Sequence, residues 1–460
     1  TTLKNRLKIS KFEDKKVIDK ASIGKPSKDD VILKGAPASI GIASGPVNII
    51  HSAKEIDQIK EGDVLVTEMT TPDFVPAMRK SKAIITDTGG RTCHAAIVSR
   101  ELGIPCVVGT GKATSELKQG QLVTVDGAKG AIYKGKFAKP DVELVPSTTR
   151  QKLMIRQEVP ITGTKLYVNL AEKSRAEEVA KMPVDGVGLL RAEFMIAEMG
   201  EHPRMFVKEK REKEWIDKLS EGMGIFASAF SPRPVIYRAT DFKSNEYKNL
   251  KGGKEFEPEE ENPMIGYRGC YRYIREPEVF NMELEAIKQV RDNLGLRNLH
   301  LMIPFVRTVE ELEKVKKLVT ASGLFDTNDF KFYMMAEVPS NIILIDQFID
   351  VGIDGISIGS NDLTQLTLGI DRDSEKMAEE FDERDEAVLA GIRHMIQKCR
   401  KRGITTSICG QAPSTYPEYT EFLVKSGITS ISVNPDMIIP GRRLIASVER
   451  KIMLGKMLGK

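Results

Sequence analysis

The sequence predicts an α/β protein in two parts, a small glycine-rich α/β domain over residues 31–145 and a (β/α)8 TIM barrel over residues 146–460. Three observations carry that prediction. From about residue 155 onward, short apolar strands alternate with charged helical stretches eight times. An open doubly wound sheet would alternate too, but eight regular repeats with short connections favour closure. Before that point the chain is rich in short β-type runs separated by glycines. The composition, 41% hydrophobic and 29% charged over 460 residues, is that of a multidomain globular chain able to bury a large core.

Taken in order, residues 1–30 are lysine-rich, and SIGKPSKDD reads as a linker. Strands of the first domain are expected in VILKGAPASIGIASGPVNII, DVLVTE, AIITD, CVVGTG, QLVTVDG and AIYKG. Among them lies GGRTCHAAIVSRELGIP, residues 89–105. Its glycines permit a tight turn. Thr92 is the expected N-cap of a helix whose apolar positions are Ala95, Ala96, Ile97 and Leu102. His94 then falls in the first turn, where free N–H groups and the helix dipole favour an anion such as a phosphorylated imidazole. A histidine so placed in an arbitrary chain more often packs or caps, so the weight rests on the rest of the sequence. VPSTTRQKL, near 145–153, reads as a second hinge.

The barrel strands are read in KLYVNLA, GVGLLR, PVIYRAT, HLMIPFV, FYMMAEV, GISIGSND, TTSICG and SISVNP. Between them lie helical stretches such as SRAEEVAKM, VEELEKVKKLVTA and EAVLAGIRHMIQKCRKRG. The largest insertion follows the third strand, and its acidic run EPEEEN reads as a solvated loop. The last helix, LIASVERKIMLGKML, has apolar spacing suited to core packing first and an oligomer contact second.

A net charge of +4 spread over many charged groups calls for neither nucleic acid nor an anionic membrane, and no apolar run reaches a membrane span. Cys93, Cys106, Cys270, Cys399 and Cys409 are odd in number and form no CxxC pair. They predict reduced thiols of a cytoplasmic protein rather than a disulfide framework or zinc site. The chain begins at Thr, which suggests processing or a piece of a longer protein.

Polar residues fall where a TIM barrel carries chemistry, at the C-terminal ends of its strands. Arg191 ends strand two, Arg238 strand three, Glu337 strand five, Asn361 and Asp362 strand six, and Cys409 strand seven. Two carboxylates from neighbouring strands, Glu337 and Asp362, make a hard-oxygen site suited to Mg²⁺. Arginines facing the same mouth suit a phosphoryl group and a carboxylate, and a rim thiol can exchange a proton with a carbon acid. Singly, each is more often structural: a strand-end Glu pairs with a cation and a lone Cys is a small buried hydrophobe.

Together these residues resemble the enzymes that use or make phosphoenolpyruvate through a phosphohistidine, over about residues 31–445. GGRTCHAAIVSRELGIPCVVG is similar to the phosphohistidine signature, and AEVPSN with SIGSNDLTQLTLGIDRD to the metal and substrate signature of the barrel. DFKSNEY, EEENPMIGYRG and the TCH before the histidine are most similar to the branch that converts pyruvate, ATP and water to phosphoenolpyruvate, AMP and phosphate. The resemblance implies a swivelling phosphohistidine domain in which His94 takes the phosphoryl group and passes it to pyruvate. It further implies that Arg191, Arg238 and Arg268 hold phosphate or enolate and that Glu337 and Asp362 bind Mg²⁺. Gly359, Ser360 and Asn361 would line the substrate site, Arg372 would contact the phosphoryl group, and Cys409 would exchange the methyl proton. Thr92 would be a regulatory phosphorylation target, although capping suffices to explain it. Barrels of the family commonly pair, which implies a dimer or larger homo-oligomer.

One departure stands out. The family's synthases and dikinases carry an ATP-grasp domain before the phosphohistidine domain, and this sequence has no segment resembling it. GTGK at 109–112 is a poor P-loop, since Ala113 replaces Ser or Thr, and it reads as a strand end and turn. ATP would therefore act only through a domain outside this sequence. Three alternatives stay open: pyruvate phosphate dikinase, an enzyme I-like phosphotransferase, and an assembly subunit without activity of its own. Against enzyme I, residues 31–145 are too short and strand-rich for a helical carrier-binding insertion.

Overall fold

The computed structural model describes residues 30–90, 93–137, 159–371, 377 and 380–459. Thr92, Arg372, the VPSTTRQKL hinge and all of SIGKPSKDD but Asp30 lie outside the described residues.

Eight strands form the first sheet: β1 (Val31–Lys34), β2 (Ala36–Ser39), β3 (Ile42–Ile49), β4 (Val64–Thr67), β5 (Ala83–Thr86), β6 (Cys106–Val108), β7 (Leu122–Asp126) and β8 (Ala131–Lys134). Their order is β1-β8-β7-β3-β4-β5-β6-β2. The eight-residue β3 bridges two halves, pairing antiparallel with β7 at its start and parallel with β4 at its end. β4 and β5 are buried at every position, as central parallel strands covered on both faces should be. Their alternation divides the core. Leu65 and Ile84 pack under the His94–Leu102 helix with Ala95, Ala96 and Val98, while Val64, Val66 and Ile85 face β7 and β8. GTGK is a strand end and turn: Gly109 and Gly111 take positive φ, and Asp87 accepts from the amide of Thr114.

The second sheet is the barrel: β9 (Lys165–Leu170), β10 (Gly186–Arg191), β11 (Val235–Arg238), β12 (Leu299–Ile303), β13 (Phe332–Ala336), β14 (Gly355–Ile358), β15 (Thr405–Ile408) and β16 (Ser430–Val433). All ladders are parallel, running in sequence from β9 to β15 with β16 returning to pair with β9. Between β15 and β16 the closure is made by Thr429 N donating to Thr406 O at 3.1 Å and Thr406 N to Thr429 Oγ1 at 3.1 Å.

Strand parity places the site. Leu166, Val168, Val235, Ile356, Ile358 and Ile408 point outward into the large core beneath the helices. Tyr167, Leu189, Ile236, Met302, Met335 and Cys409 fill the barrel interior. A period of two therefore turns Arg191, Arg238, Glu337, Gly359 and Cys409 inward at the C-terminal mouth. The helical stretches follow expectation, including Val309–Ala321 capped by Thr308 and Glu386–Lys401 capped by Asp385. The last helix, Ile438–Met457, buries Ile438, Ile445 and Val448 and leaves Met453, Leu454 and Met457 exposed. No helix among the described residues is long and apolar enough to cross a membrane.

Three local expectations need correction. Cys93, not Thr92, stands at the N-cap of the His94–Leu102 helix, with extended backbone and no side-chain cap bond. Asn361 and Asp362 do not end a strand: β14 stops at Ile358, and both lie in the first turn of the helix Ser360–Leu368. EPEEEN is only partly a solvated loop, because Glu257 is buried against His202 and Arg272, at 2.8 and 2.6 Å.

Candidate active site at the barrel mouth

One cavity at the mouth is lined by residues of the barrel and of the His94–Leu102 helix. Arg191, Arg238, Arg268, Glu337, Gly359, Asn361, Asp362 and Cys409 meet there, and His94 closes it from above with Ile97 and Val98. Ser360 is not on its wall: the side chain is fully buried and its Oγ donates to Glu383 Oε1 at 2.5 Å.

Carboxylates gather at the base. Oxygens of Asp241, Glu337 and Asp362 lie within 4.8 Å of one another, and all three residues are buried. Burial, then Asp362 and Asp241, push the Glu337 carboxyl up to about 8, against the pull of Arg268 and Arg238. Three converging carboxylates without a cation repel one another, and a divalent ion relieves that repulsion. Asn361 Oδ1 is also buried with no hydrogen-bond partner. The donor set is all hard oxygen, which fits Mg²⁺. Gly359 makes the approach feasible, since a Cβ there would come within 2.6 Å of Glu337 Oε2.

Arginines frame the cluster. Arg268 grips Asp241 with Nε at 3.0 Å and Nη2 at 2.5 Å, and reaches Asp362 Oδ2 at 3.1 Å. Its guanidinium also lies 4.1 Å over the Phe305 ring. Phe305 is a non-glycine residue at φ +48°, and its amide donates to Glu337 Oε1 at 2.7 Å. Arg238 bonds Glu193 Oε1 at 2.7 Å. Burial opposes its charge, but Glu193, Asp241 and Glu337 outweigh that and hold the guanidinium firmly protonated. Arg191 pairs with Glu101 of the histidine helix.

Cys409 lies just past β15. Asn169 Nδ2 donates to its carbonyl at 3.2 Å, and Asn169 is steadied by Ser432 Oγ at 2.6 Å. Burial pushes the thiol up to about 11, with Ser357 drawing it down and Glu337 raising it. At neutral pH it is a thiol, able to give a proton.

His94 begins its helix, and its Nδ1 is 2.8 Å from Thr70 Oγ1. With Nδ1 engaged, Nε2 is the nitrogen left for a phosphoryl group. Burial, then Lys243 and Arg191, press the imidazole down to about 3, so it is neutral and nucleophilic across the physiological range. Docking rests on more than the histidine. Ala95 and Val98 pack in one cluster with Ala171 and Phe194 of the barrel. Arg79 pairs with Glu172 at 2.9 Å and Glu198 at 2.6 Å, Arg175 donates to the Glu101 carbonyl at 2.6 Å, and Arg100 reaches Gln411 at 2.9 Å.

Because two of the groups that depress His94 belong to the barrel, its pKa links to docking. A freed His94 takes up a proton near 6.5, whereas the docked one does so only near 3. Docking is therefore strongest above pH 6.5 and weakens as pH falls toward 3, by up to about tenfold per pH unit. Energy transfer between dyes on the two domains should report that loss between pH 7 and 5. A His94→Gln chain should lose the pH dependence; an unchanged dependence would place it elsewhere.

The sequence assigns no role to Asp241, Thr70, Lys243, Glu101 or Gln411, although DFKSNEY contains Asp241 and Lys243. Asp241 had a signal, lying three residues past Arg238 at the same strand end. Thr70 had none, since only the fold brings it to His94.

Residues 147–450 match the PEP-utilising enzyme, PEP-binding domain, and residues 59–130 the PEP-utilising enzyme, mobile domain. A probable phosphoenolpyruvate synthase of Staphylothermus marinus is 51% identical, over 98% of this chain and 56% of its own length. The phosphoenolpyruvate synthase of Aeropyrum pernix is 50% identical, over 93% of this chain and 53% of its own. That of Helicobacter pylori is 43% identical, over 96% and 56%. The chain thus spans about half the length of the curated relatives it matches.

Proposed function

The chain belongs to the PEP-utilising enzymes, and from that premise we propose that it carries the half-reaction joining phosphohistidine and pyruvate to histidine and phosphoenolpyruvate. The whole enzyme would be a phosphoenolpyruvate synthase, with ATP-dependent loading of His94 performed by a part outside this sequence. The observation that carries the proposal is the meeting of His94, three carboxylates and Cys409 around one cavity.

Asp241, Glu337, Asp362 and Asn361 would hold Mg²⁺. When bound, the ion would offset their charge and stabilise an enolate oxygen. Arg238 and Arg268, already charged and fixed, would orient the carboxylate and phosphate of the substrate, and Arg191 would join them on release from Glu101. Toward phosphoenolpyruvate, Cys409 in its thiolate form, its own proton given up to solvent, takes a methyl proton, the enolate oxygen attacks phosphorus, and the P–N bond to His94 Nε2 breaks. In reverse, the resting thiol returns the proton to the methylene carbon as the phosphoryl group passes to His94. Ile97 and Val98 of the docked helix exclude water that would otherwise hydrolyse the transferring group.

The test is to mix the chain with Mg²⁺ and phosphoenolpyruvate labelled in the phosphoryl group. Acid-labile label on the wild type, none on His94→Ala and release of pyruvate are expected. Label on both, or on neither, would refute the assignment. An enzyme I-like role is disfavoured by the first domain, whose longest helix among the described residues is the nine-residue His94–Leu102.

A further inference from the structure

Cys409 sits on a loop held from two sides. From inside the barrel, Asn169 fixes its carbonyl, as described above. From outside, Gln411 is 2% exposed and its Oε1 accepts two N–H groups, Asn434 Nδ2 at 2.9 Å and Arg100 Nη1 at 2.9 Å. Asn434 follows β16 and belongs to the barrel. Arg100 belongs to the histidine helix, six residues or about 9 Å along the axis from His94. Between the two anchors the loop has no slack, because a Cβ on Gly410 would overlap Ser360 Oγ. A shift at Gln411 is therefore passed to Cys409 rather than absorbed.

We propose that Arg100 is a positioning residue for Cys409: arriving with His94, it completes the anchorage of the thiol loop, so that proton exchange runs at full rate only while the histidine helix is docked. This rests on the function proposed above. It gives one helix two tasks, carrying the phosphoryl group and readying the proton acceptor for the same substrate. Pyruvate bound while the helix is away meets a looser thiol, which limits enolate formation when no phosphoryl group is present to trap it. Gln411 keeps its Asn434 bond in either state, so the barrel does not depend on docking for its fold.

The test uses the full chain with Mg²⁺ and pyruvate in D2O, following loss of methyl protons by NMR. Arg100→Ala and Gln411→Met should each slow exchange about tenfold, since each removes a charge-assisted bond to a buried amide. The KM for pyruvate should stay within about twofold, because neither residue lines the cavity. The double variant should be no slower than Gln411→Met alone, which already lacks the Arg100 contact. Arg100→Lys should recover part of the rate, and Gln411→Glu, which keeps an acceptor for both donors, should lose less than about threefold. Arg100 also bonds the Ala38 carbonyl, so the Gln411 variants read the contact without disturbing the first domain. Wild-type exchange in Arg100→Ala, or losses that multiply in the double variant, would overturn the inference alone. A wild-type chain that exchanges no protons would overturn the proposed function and this inference with it.

Discussion

Cys409→Ala is expected to lower exchange of the pyruvate methyl protons by a factor on the order of 10² to 10⁴, the usual worth of a positioned acid–base group. Mg²⁺ binding measured by calorimetry should stay unchanged. The sulfur faces the cavity one residue past β15, 4% exposed. The neighbouring carboxylates of Glu337 and Asp362 are committed to the Phe305 amide and to Arg268. Alanine removes the sulfur and little else, so the fold should survive. Exchange persisting at the wild-type rate would hand the proton to another group.

Asp241→Asn should weaken Mg²⁺ binding about 10- to 100-fold, and phosphoryl transfer from phosphoenolpyruvate should fall with it. Two effects combine. The cation loses one of three converging carboxylates, and Arg268 keeps only Asp362 as an ionised partner. The pH dependence distinguishes them. In the wild type, a Glu337 carboxyl raised to about 8 must release its proton to bind a cation, so affinity falls as pH drops below 8, up to about tenfold per unit. With Asp241 neutral, Glu337 loses one repelling neighbour and its carboxyl moves down, so the affinity loss should begin at lower pH. Calorimetry in buffers of differing ionisation enthalpy would measure the released proton directly. Unaltered affinity and proton release in Asp241→Asn would exclude Asp241 as a ligand.

Much of this architecture can be read from the chain because period-two patterning and strand ends carry it. Runs such as GISIG and TTSIC place outward isoleucines and inward site residues by parity alone. His94 was legible through the glycines before it and the apolar spacing after it. What escaped depends on contacts between distant segments. Thr70 finds His94 across 24 residues, and Gln411 finds Arg100 across 311. Neither pair leaves a local pattern. Glu257 escapes for a similar reason: an acidic run reads as solvated until the fold supplies Arg272 and His202. The sequence places Asn361 and Asp362 at the right end of the barrel but on the wrong element, because the strand stops at Ile358 and Gly359 caps the helix that carries them.

Phe305 shows what such a site asks of its surroundings. A side chain in left-handed backbone is disfavoured by roughly 1–2 kcal/mol, and glycine would remove that burden. Glycine would keep the amide to Glu337 but leave Arg268 without its ring. Selection for a sturdier chain and selection for a working site thus point to different amino acids at one position. In a library screened for heat resistance alone Phe305 should drift toward glycine, and in one screened for turnover it should stay aromatic.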